Sequence, residues 1–417
     1  MKHMIIAAII TLTAGALHAA DPMSTSYTPS QCEGSLTPYP SDVNPAVFPD
    51  SLTPVFINHV GRHGARYPAS SANCLALRKA LERADSAGTI TPAGRKLRLL
   101  NEKVISMSTD RWGALDSLGM AEQRSIATRM FYNFGEAFSG GTVNAISSYS
   151  PRAMMSMYSF THQLDRMDNR INFVTTTGRM NSPLMRFFDL DEDFVKYKKD
   201  GPWVEKYNEY VTAYCPTTAI DKALGRNYPY KSEREKQQLA LIEYYVVAGC
   251  SAMSLDCNSS EFFTKDEYNA LWSCFNLRQY LCRTATTVSS LPADIAAELL
   301  TNLITTTEDF IEGNSTASVQ LRFGHAETLM PLLSLLHLPG CYYLTNYFDT
   351  VGQHWRDFDV VPMAANLQMI LFKAKASGRY YLRVDLNEKP VSLIPNNTAK
   401  YIPWTQAREY MLRCLPL

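Results

Sequence analysis

The sequence predicts an α/β protein, a core sheet flanked by helices and interrupted by a mostly helical insertion. Three observations predict it. Short runs rich in branched and aromatic residues alternate with stretches of helical period, the pattern of strands and helices sharing one core. Three of the short runs stop at polar groups: Arg62-His63-Gly64-Ala65-Arg66, Arg152 and His325-Ala326-Glu327. Open α/β sheets bind ligands outside the carboxyl ends of their strands, and all three groups fall there. From about residue 180 to 290 the texture shifts to Tyr, Lys, Glu and Cys without a clean strand, which marks the insertion.

Taken in order, Lys2 and His3 precede an apolar stretch over residues 4–17, and Ala19-Ala20 offers a small-residue cut before Asp21. This is the pattern of a secretory signal over residues 1–20. The apolar run is shorter than the ~20 residues needed to span a bilayer, so the expectation is export, secreted or periplasmic, with no membrane attachment after cleavage. Residues 21–54 are rich in Pro, Ser and Thr and read as an extended lead-in. Residues 55–60 read as a buried strand feeding a Gly-containing loop. Cys74, Leu77, Leu81 and Ala84 share one helical face; Thr91-Pro92 looks like an N-cap with proline at the first position; residues 119–134 form a third helix. A strand over 143–150 leads through Pro151-Arg152 to a helix over 153–164. After the insertion come a helix over 292–312 stopped by Gly313, a strand over 318–323, a helix over 329–336, and strands at 367–372, 380–386 and 391–394 with a turn at 387–390. The expected organisation is a core from residues 21–179 and 291–417 with a helical cap at 180–290.

Composition limits the function classes. The chain is 46% apolar and 19% charged, which excludes disordered and collagen-like chains. Forty basic residues balance forty acidic ones, so no global field draws nucleic acid or membrane, and an anion site must be a local cluster. Nine cysteines in an exported chain predict disulfides, with at least one thiol left over in a monomer and the pairing unreadable. They lack paired C-x-x-C spacing, so zinc is not expected.

The three polar strand ends suit hydrolysis of a phosphate monoester. His63 can be the nucleophile, and Arg62, Arg66 and Arg152 can clamp the phosphoryl oxygens with planar donor forks. His325 adds a donor, and Glu327 can protonate the leaving oxygen. The arginines and the helix start both favour the carboxylate of Glu327, so a raised pKa there needs burial or the substrate's own charge. Arginine meets the phosphate charge, and the phosphate-loop, G-x-S-x-G and H-E-x-x-H patterns are absent. No metal or cofactor is therefore expected.

Arg62-His63-Gly64-Ala65-Arg66-Tyr67-Pro68 resembles the R-H-G-x-R-x-P signature of the histidine acid phosphatases, the second branch of the histidine phosphatase superfamily. Most of that branch carries His-Asp at the distal site. The His325-Ala326-Glu327 form is instead similar to the multiple inositol polyphosphate phosphatases, a lineage of phytases. Pro151-Arg152 with Ser156, residues 362–367 and residues 384–391 resemble further family segments, so the likeness runs from about 55 to 395. It implies a histidine-phosphatase-like core with a helical cap, His63 as nucleophile, Glu327 as proton donor, and Arg62, Arg66, Arg152 and His325 as phosphate ligands. It also implies inositol hexakisphosphate and lower inositol phosphates as substrates. The rivals are a broad acid or sugar-phosphate phosphatase of the same fold and a non-catalytic phosphate-binding module. Arg179, Arg186, Lys196, Lys198 and Lys199 form a basic stretch that reads either as solvated surface or as contacts to extra phosphates. Arg186 is the preferred contact because Leu184, Met185, Phe187 and Phe188 surround it. His59, His162, His337 and His354 read as structural.

Overall fold

The computed structural model describes residues 26–416. The expected signal segment, residues 1–20, lies outside the described residues. One mixed sheet organises the chain. Its strands are β1 (Leu52–Arg62), β2 (Thr142–Ser147), β3 (Asn172–Thr176), β4 (Ala317–Gly324), β5 (Asn366–Ala374), β6 (Tyr380–Leu386), β7 (Lys389–Val391) and β8 (Ile402–Pro403). They run in the order β3-β2-β4-β1-β5-β6-β7, with β8 also on β6. The first four are mutually parallel, and the rest add antiparallel from β5 outward. Register therefore sets the ends of β1, β2 and β4 along one edge, with Arg62 opposite Gly324 and Ser147 opposite Phe323.

Ten helices of ten or more residues surround the sheet among the described residues: α1 (Ala72–Ser86), α2 (Pro92–Ser108), α3 (Ser117–Phe134), α4 (Pro151–Met167), α5 (Trp203–Tyr214), α6 (Glu233–Ala248), α7 (Lys265–Arg283), α8 (Ala297–Glu312), α9 (Ala326–Leu335) and α10 (Trp404–Arg413). The side-chain alternation of the strands feeds two cores. Ile57, Val143, Leu321 and Phe323 meet Ile126, Met130 and Phe160 of α3 and α4 on one face. Phe56, Val60 and Leu367 meet Leu299, Leu303, Leu329 and Leu333 of α8 and α9 on the other. Between Thr176 and Ala317 the described residues form helices, turns and loops only. There α7 joins two regions: Leu271 and Trp272 pack with α1, α2 and α6, while Leu277 and Leu281 pack in the core that holds α8 and α9. The Thr91 cap is present, its side chain accepting from Gly94 N at 3.1 Å.

Four expectations need correction. The second strand stops at Ser147 rather than at 150, because Ser150 is already the N-cap of α4 with Pro151 at its first turn. Strand β3 was not anticipated; it is a mostly exposed edge strand, so no apolar alternation announces it. The helix over 292–312 is two pieces, Leu291–Asp294 and α8, started separately by the carbonyls of Ser290 and Ala296. The strand expected at 391–394 is β7 at 389–391, and a further short strand, β8, follows at Ile402–Pro403. Asn387 and Glu388 alone make the turn, both at positive φ (50° and 61°), and Pro390 sits on an edge strand, where its missing N–H is tolerated. The expected disulfides are also not formed. All nine cysteines are thiols, and those in the core serve as small apolar side chains.

Candidate active site

The parallel strand ends bring His63, Arg62, Arg66, Arg152, His325 and Glu327 into one electrostatic neighbourhood. The backbone after β1 is held firmly. Arg62 N donates to Ala365 O (2.7 Å), His63 N to Gly324 O (3.1 Å), and Ala364 N to His63 O (3.0 Å). Helix α3 supports the loop from below. Glu122 accepts from Ala65 N and Tyr39 N, each at 2.7 Å, and Gln123 Nε2 donates to Arg62 O at 2.9 Å. Burial pushes the Glu122 carboxyl up to about 7 against those two donors. Gly64 and Gly119 touch backbone to backbone, too close for a Cβ on either.

His63 is 3% exposed, and its Nδ1 lies 2.9 Å from Gly64 O. A carbonyl only accepts, so Nδ1 carries the proton and the lone pair sits on Nε2. Burial first, then Arg152, Arg62, Arg66 and His325, hold the imidazole well below its ordinary range. Both effects favour the neutral ring with its lone pair on Nε2.

Arginine surrounds it. Arg62 is anchored through Nη1 to Ser35 O (2.6 Å) and Val361 O (2.5 Å). Arg66 Nη1 donates to Tyr67 O at 2.8 Å. Arg152 stands in the first turn of α4, its Nη2 3.4 Å from His325 Nδ1. The Nε atoms of all three are buried without a hydrogen-bond partner. Burial and mutual repulsion lower Arg62 to about 9 and Arg152 to about 10. Three guanidinium groups with unused donors form a ready clamp for a tetrahedral oxyanion.

His325 closes the ring from the end of β4. Its ring centroid is 5.6 Å from that of His63, and its Nε2 is 2.9 Å from Ser148 Oγ and 3.0 Å from Arg186 Nη1. Burial, then Arg152, lowers it to about 3, with Glu327 opposing. Thr328 Oγ1 fixes the turn, accepting from His325 N (3.0 Å) and donating to Met185 O (2.8 Å). Glu327 follows in the first turn of α9 and is bound by Arg283 Nη2 at 2.9 Å. Burial alone raises its pKa, but Arg283, His325, its own backbone N–H and Arg62 together pull it below the usual carboxylate range. Held by Arg283, it is a carboxylate.

The basic stretch divides. Arg186 joins the site through His325 and is steered by an ion pair to Asp189. Arg179 and Arg186 lie over the Tyr149 ring, at 4.4 and 4.7 Å. Lys198 and Lys199 pair with Asp189 and Asp200 instead, and the Lys196 side chain has neither an ion pair nor a hydrogen bond among the described residues. His59 is buried between Phe160 and Phe323, in the core that α4 covers. Sequence reasoning missed Glu122, Tyr149, Ser148 and Arg283. Glu122 had a signal, a charge four residues before Ile126 on the apolar face of its helix. Arg283 had none beyond ending a helix.

Residues 55–387 match the family model of the histidine phosphatase superfamily (branch 2). Multiple inositol polyphosphate phosphatase 1 of Gallus gallus is 27% identical over 370 residues, covering 82% of this chain and 78% of that protein. Among solved structures, the Bifidobacterium longum multiple inositol polyphosphate phosphatase in complex with inositol hexasulfate superposes with a TM-score of 0.77 at 16% identity, covering 90% of this chain and 96% of that one. The phytase from D. castellii superposes with a TM-score of 0.69 at 16% identity, covering 97% and 90%. These last two establish the shared fold.

Proposed function

The chain belongs to the histidine phosphatase superfamily (branch 2), and on that footing we propose that this phosphatase hydrolyses inositol hexakisphosphate and lower inositol polyphosphates through a phosphohistidine at His63. The observation that carries the reading is the neutral His63 ring, its proton fixed on Nδ1 by Gly64 O, within a clamp of arginines with unused donors.

The reaction runs in two displacements. His63 Nε2 attacks phosphorus while Arg62, Arg66, Arg152 and His325 hold the non-bridging oxygens, where the loose transition state spreads its charge. The P–O bond to the inositol breaks, and Glu327 gives its proton to the departing oxygen. Before substrate binds Glu327 is a carboxylate; the bound substrate's negative charge raises its proton affinity, and it takes up from solvent the proton it then donates. As a carboxylate again, it takes a proton from water, which attacks the phosphohistidine and releases inorganic phosphate.

The substrate class rests on two supports. The relatives bear the names of inositol polyphosphate phosphatases, and one solved relative is a complex with inositol hexasulfate. Arg179 and Arg186, stacked on Tyr149 beside His325, offer cations to phosphates neighbouring the one being cleaved. The helical segment 180–290 serves as the cap over them. Residues 1–20 direct export, to the periplasm or medium.

The test is phosphate release from inositol hexakisphosphate without added metal, compared with glucose 1-phosphate. Preference for the former by kcat/KM is expected, with His63→Ala abolishing both. Equal use of the two substrates favours the broad phosphatase, and near-normal turnover by His63→Ala defeats the mechanism.

A further inference from the structure

The contact between Arg283 and Glu327 has no counterpart in the phosphate clamp. Arg283 ends α7, and Glu327 begins α9. A cation at a helix C-terminus and an anion at a helix N-terminus each match the local dipole, so the pair joins two helix ends that both favour it. The geometry is direct, Nη2 to Oε1 at 2.9 Å.

Arg283 is not a loose surface arginine. Its Nη1 is bound by Gln279 Oε1, one turn back on α7. Gln279 Nε2 donates to Ser35 Oγ at 3.2 Å, and Ser35 O accepts from Arg62 Nη1 at 2.6 Å. A chain of hydrogen-bonded residues thus runs from Glu327 through Arg283 and Gln279 to the Ser35 hydroxyl, and the Ser35 backbone carbonyl holds the first arginine of the clamp. Helix α7 is buried on both flanks, which denies the chain freedom to drift.

We propose that Arg283 is a positioning residue for Glu327: it fixes the carboxylate beside the clamp and sets how readily that group holds the proton it passes to the leaving oxygen. The proposal rests on Glu327 being the proton donor. The groups that act on Glu327 come from each neighbouring element: Arg62 at the end of β1, Arg152 on α4, His325 in its own turn, and Cys282 and Arg283 on α7. Of the arginines among them, Arg62 and Arg152 also face the phosphoryl group, and substrate will draw their charge away from Glu327. Arg283 bonds Glu327 itself, so it is the cation that stays with the acid during turnover. It therefore ties the protonation of the donor to the placement of the last turn of α7.

The experiment compares Arg283→Met and Arg283→Lys with the parent enzyme in pH profiles of kcat/KM. Two substrates are used, inositol hexakisphosphate, whose alkoxide needs a proton, and p-nitrophenyl phosphate, whose phenolate does not. Loss of an adjacent cation raises a carboxyl pKa by about 1–3 pH units. The expected result is that Arg283→Met moves the alkaline limb for inositol hexakisphosphate upward by about that much. Arg283→Lys stays near the parent, and the p-nitrophenyl phosphate limb is unmoved in both. An unshifted limb in a folded Arg283→Met enzyme overturns the proposal, as does an equal shift on both substrates. Glu327→Gln separates the two ideas. If it turns over inositol hexakisphosphate normally, the donor reading itself is wrong. If it is dead on that substrate while Arg283→Met leaves the limb in place, only the role of Arg283 fails. Should Arg283→Met not fold, Arg283→Gln, which keeps a polar side chain and removes the charge, carries the test through an upward shift of the same limb, and no shift there overturns the proposal.

Discussion

Alanine at position 64 probes how tightly the fold holds its reactive histidine. Gly64 follows His63 and lies against Gly119 in the first turn of α3. A Cβ built there comes to 2.4 Å from Gly119 O and 2.6 Å from its Cα, both backbone atoms. Ordinary contact begins at 3.4 Å, so loop and helix must separate by about 1 Å, a misplacement able to cost about 100-fold in rate. Neither partner yields easily. The loop is tied on one side by Ala365, Gly324 and Ser156, whose Oγ accepts from Gly64 N at 3.1 Å, and on the other by Glu122. Overpacking at a rigid contact costs about 1–3 kcal/mol, which a protein of this size survives. The expectation is therefore a folded Gly64→Ala enzyme with a modestly lowered Tm and kcat down about 100-fold. Gly119→Ala, whose Cβ meets Ala65 O at 2.2 Å, should do the same from the other side. Thermal unfolding and kcat well below the Tm are the assays. A Gly64→Ala protein with native Tm and kcat would show that the contact does not position His63.

Three further outcomes are expected. Glu243 is 1% exposed with Oε2 unpartnered, and burial, then repulsion from Glu267, pushes it from 4.5 to about 8. Its folded pKa is raised, so its stability contribution is full below pH 4.5 and is lost as pH rises through 8. At about 1.4 kcal/mol per pH unit this amounts to about 4–5 kcal/mol. Denaturant unfolding at pH 5 and 8 should show a smaller loss for Glu243→Gln than for the parent, and parallel losses would contradict the assignment. Arg186→Ala should lower kcat/KM on inositol hexakisphosphate by about 10- to 100-fold, the worth of one charged hydrogen bond, and less on p-nitrophenyl phosphate; equal losses would place Arg186 on the reacting phosphoryl group. The thiols of Cys250 and Cys257 are hydrogen-bonded neighbours, as are those of Cys215 and Cys274. A disulfide oxidant of an export compartment should close both pairs, each bond losing two hydrogens, so non-reducing peptide maps of exported protein should contain both links. Alkylation of all nine cysteines without reduction would count against export into an oxidising compartment.

Much of the site was legible because its signals are local. Arg62, His63 and Arg66 crowd one loop after an apolar run, and His325 and Glu327 sit two residues apart after another. Parallel register then does the long-range work, bringing Arg62 level with Gly324. What the sequence hid is what depends on tertiary approach. Arg283 lies 44 residues from Glu327 on a helix with no motif, and only the crossing of α7 and α9 joins them. Tyr149 reads as one more strand aromatic, yet the strand has already ended and its ring lies under two arginines. Strand β3 was hidden for the opposite reason: as an exposed edge, it has little buried surface to impose a pattern.

The site's chemistry and its instability have one cause. Arg62 and Arg152 are lowered by burial and then by Arg66, and a loop left to itself would splay them into solvent. The fold prevents this with backbone carbonyls at Arg62 Nη1, with Glu122 beneath the loop, and with buried Asp357, which accepts from Ser35 N at 2.7 Å. Burial pushes Asp357 up to about 6, so this brace is itself a strained group held in place by Trp272 and Ser35. The strain is spread over second contacts rather than relieved by placing acids among the arginines. Acids there would neutralise the clamp and compete with phosphate for its donors. Glu327 stands at the clamp, and it is engaged by Arg283, an arginine outside the clamp. That separation lets the phosphate-binding donors stay free while the acid remains close enough to reach the leaving oxygen.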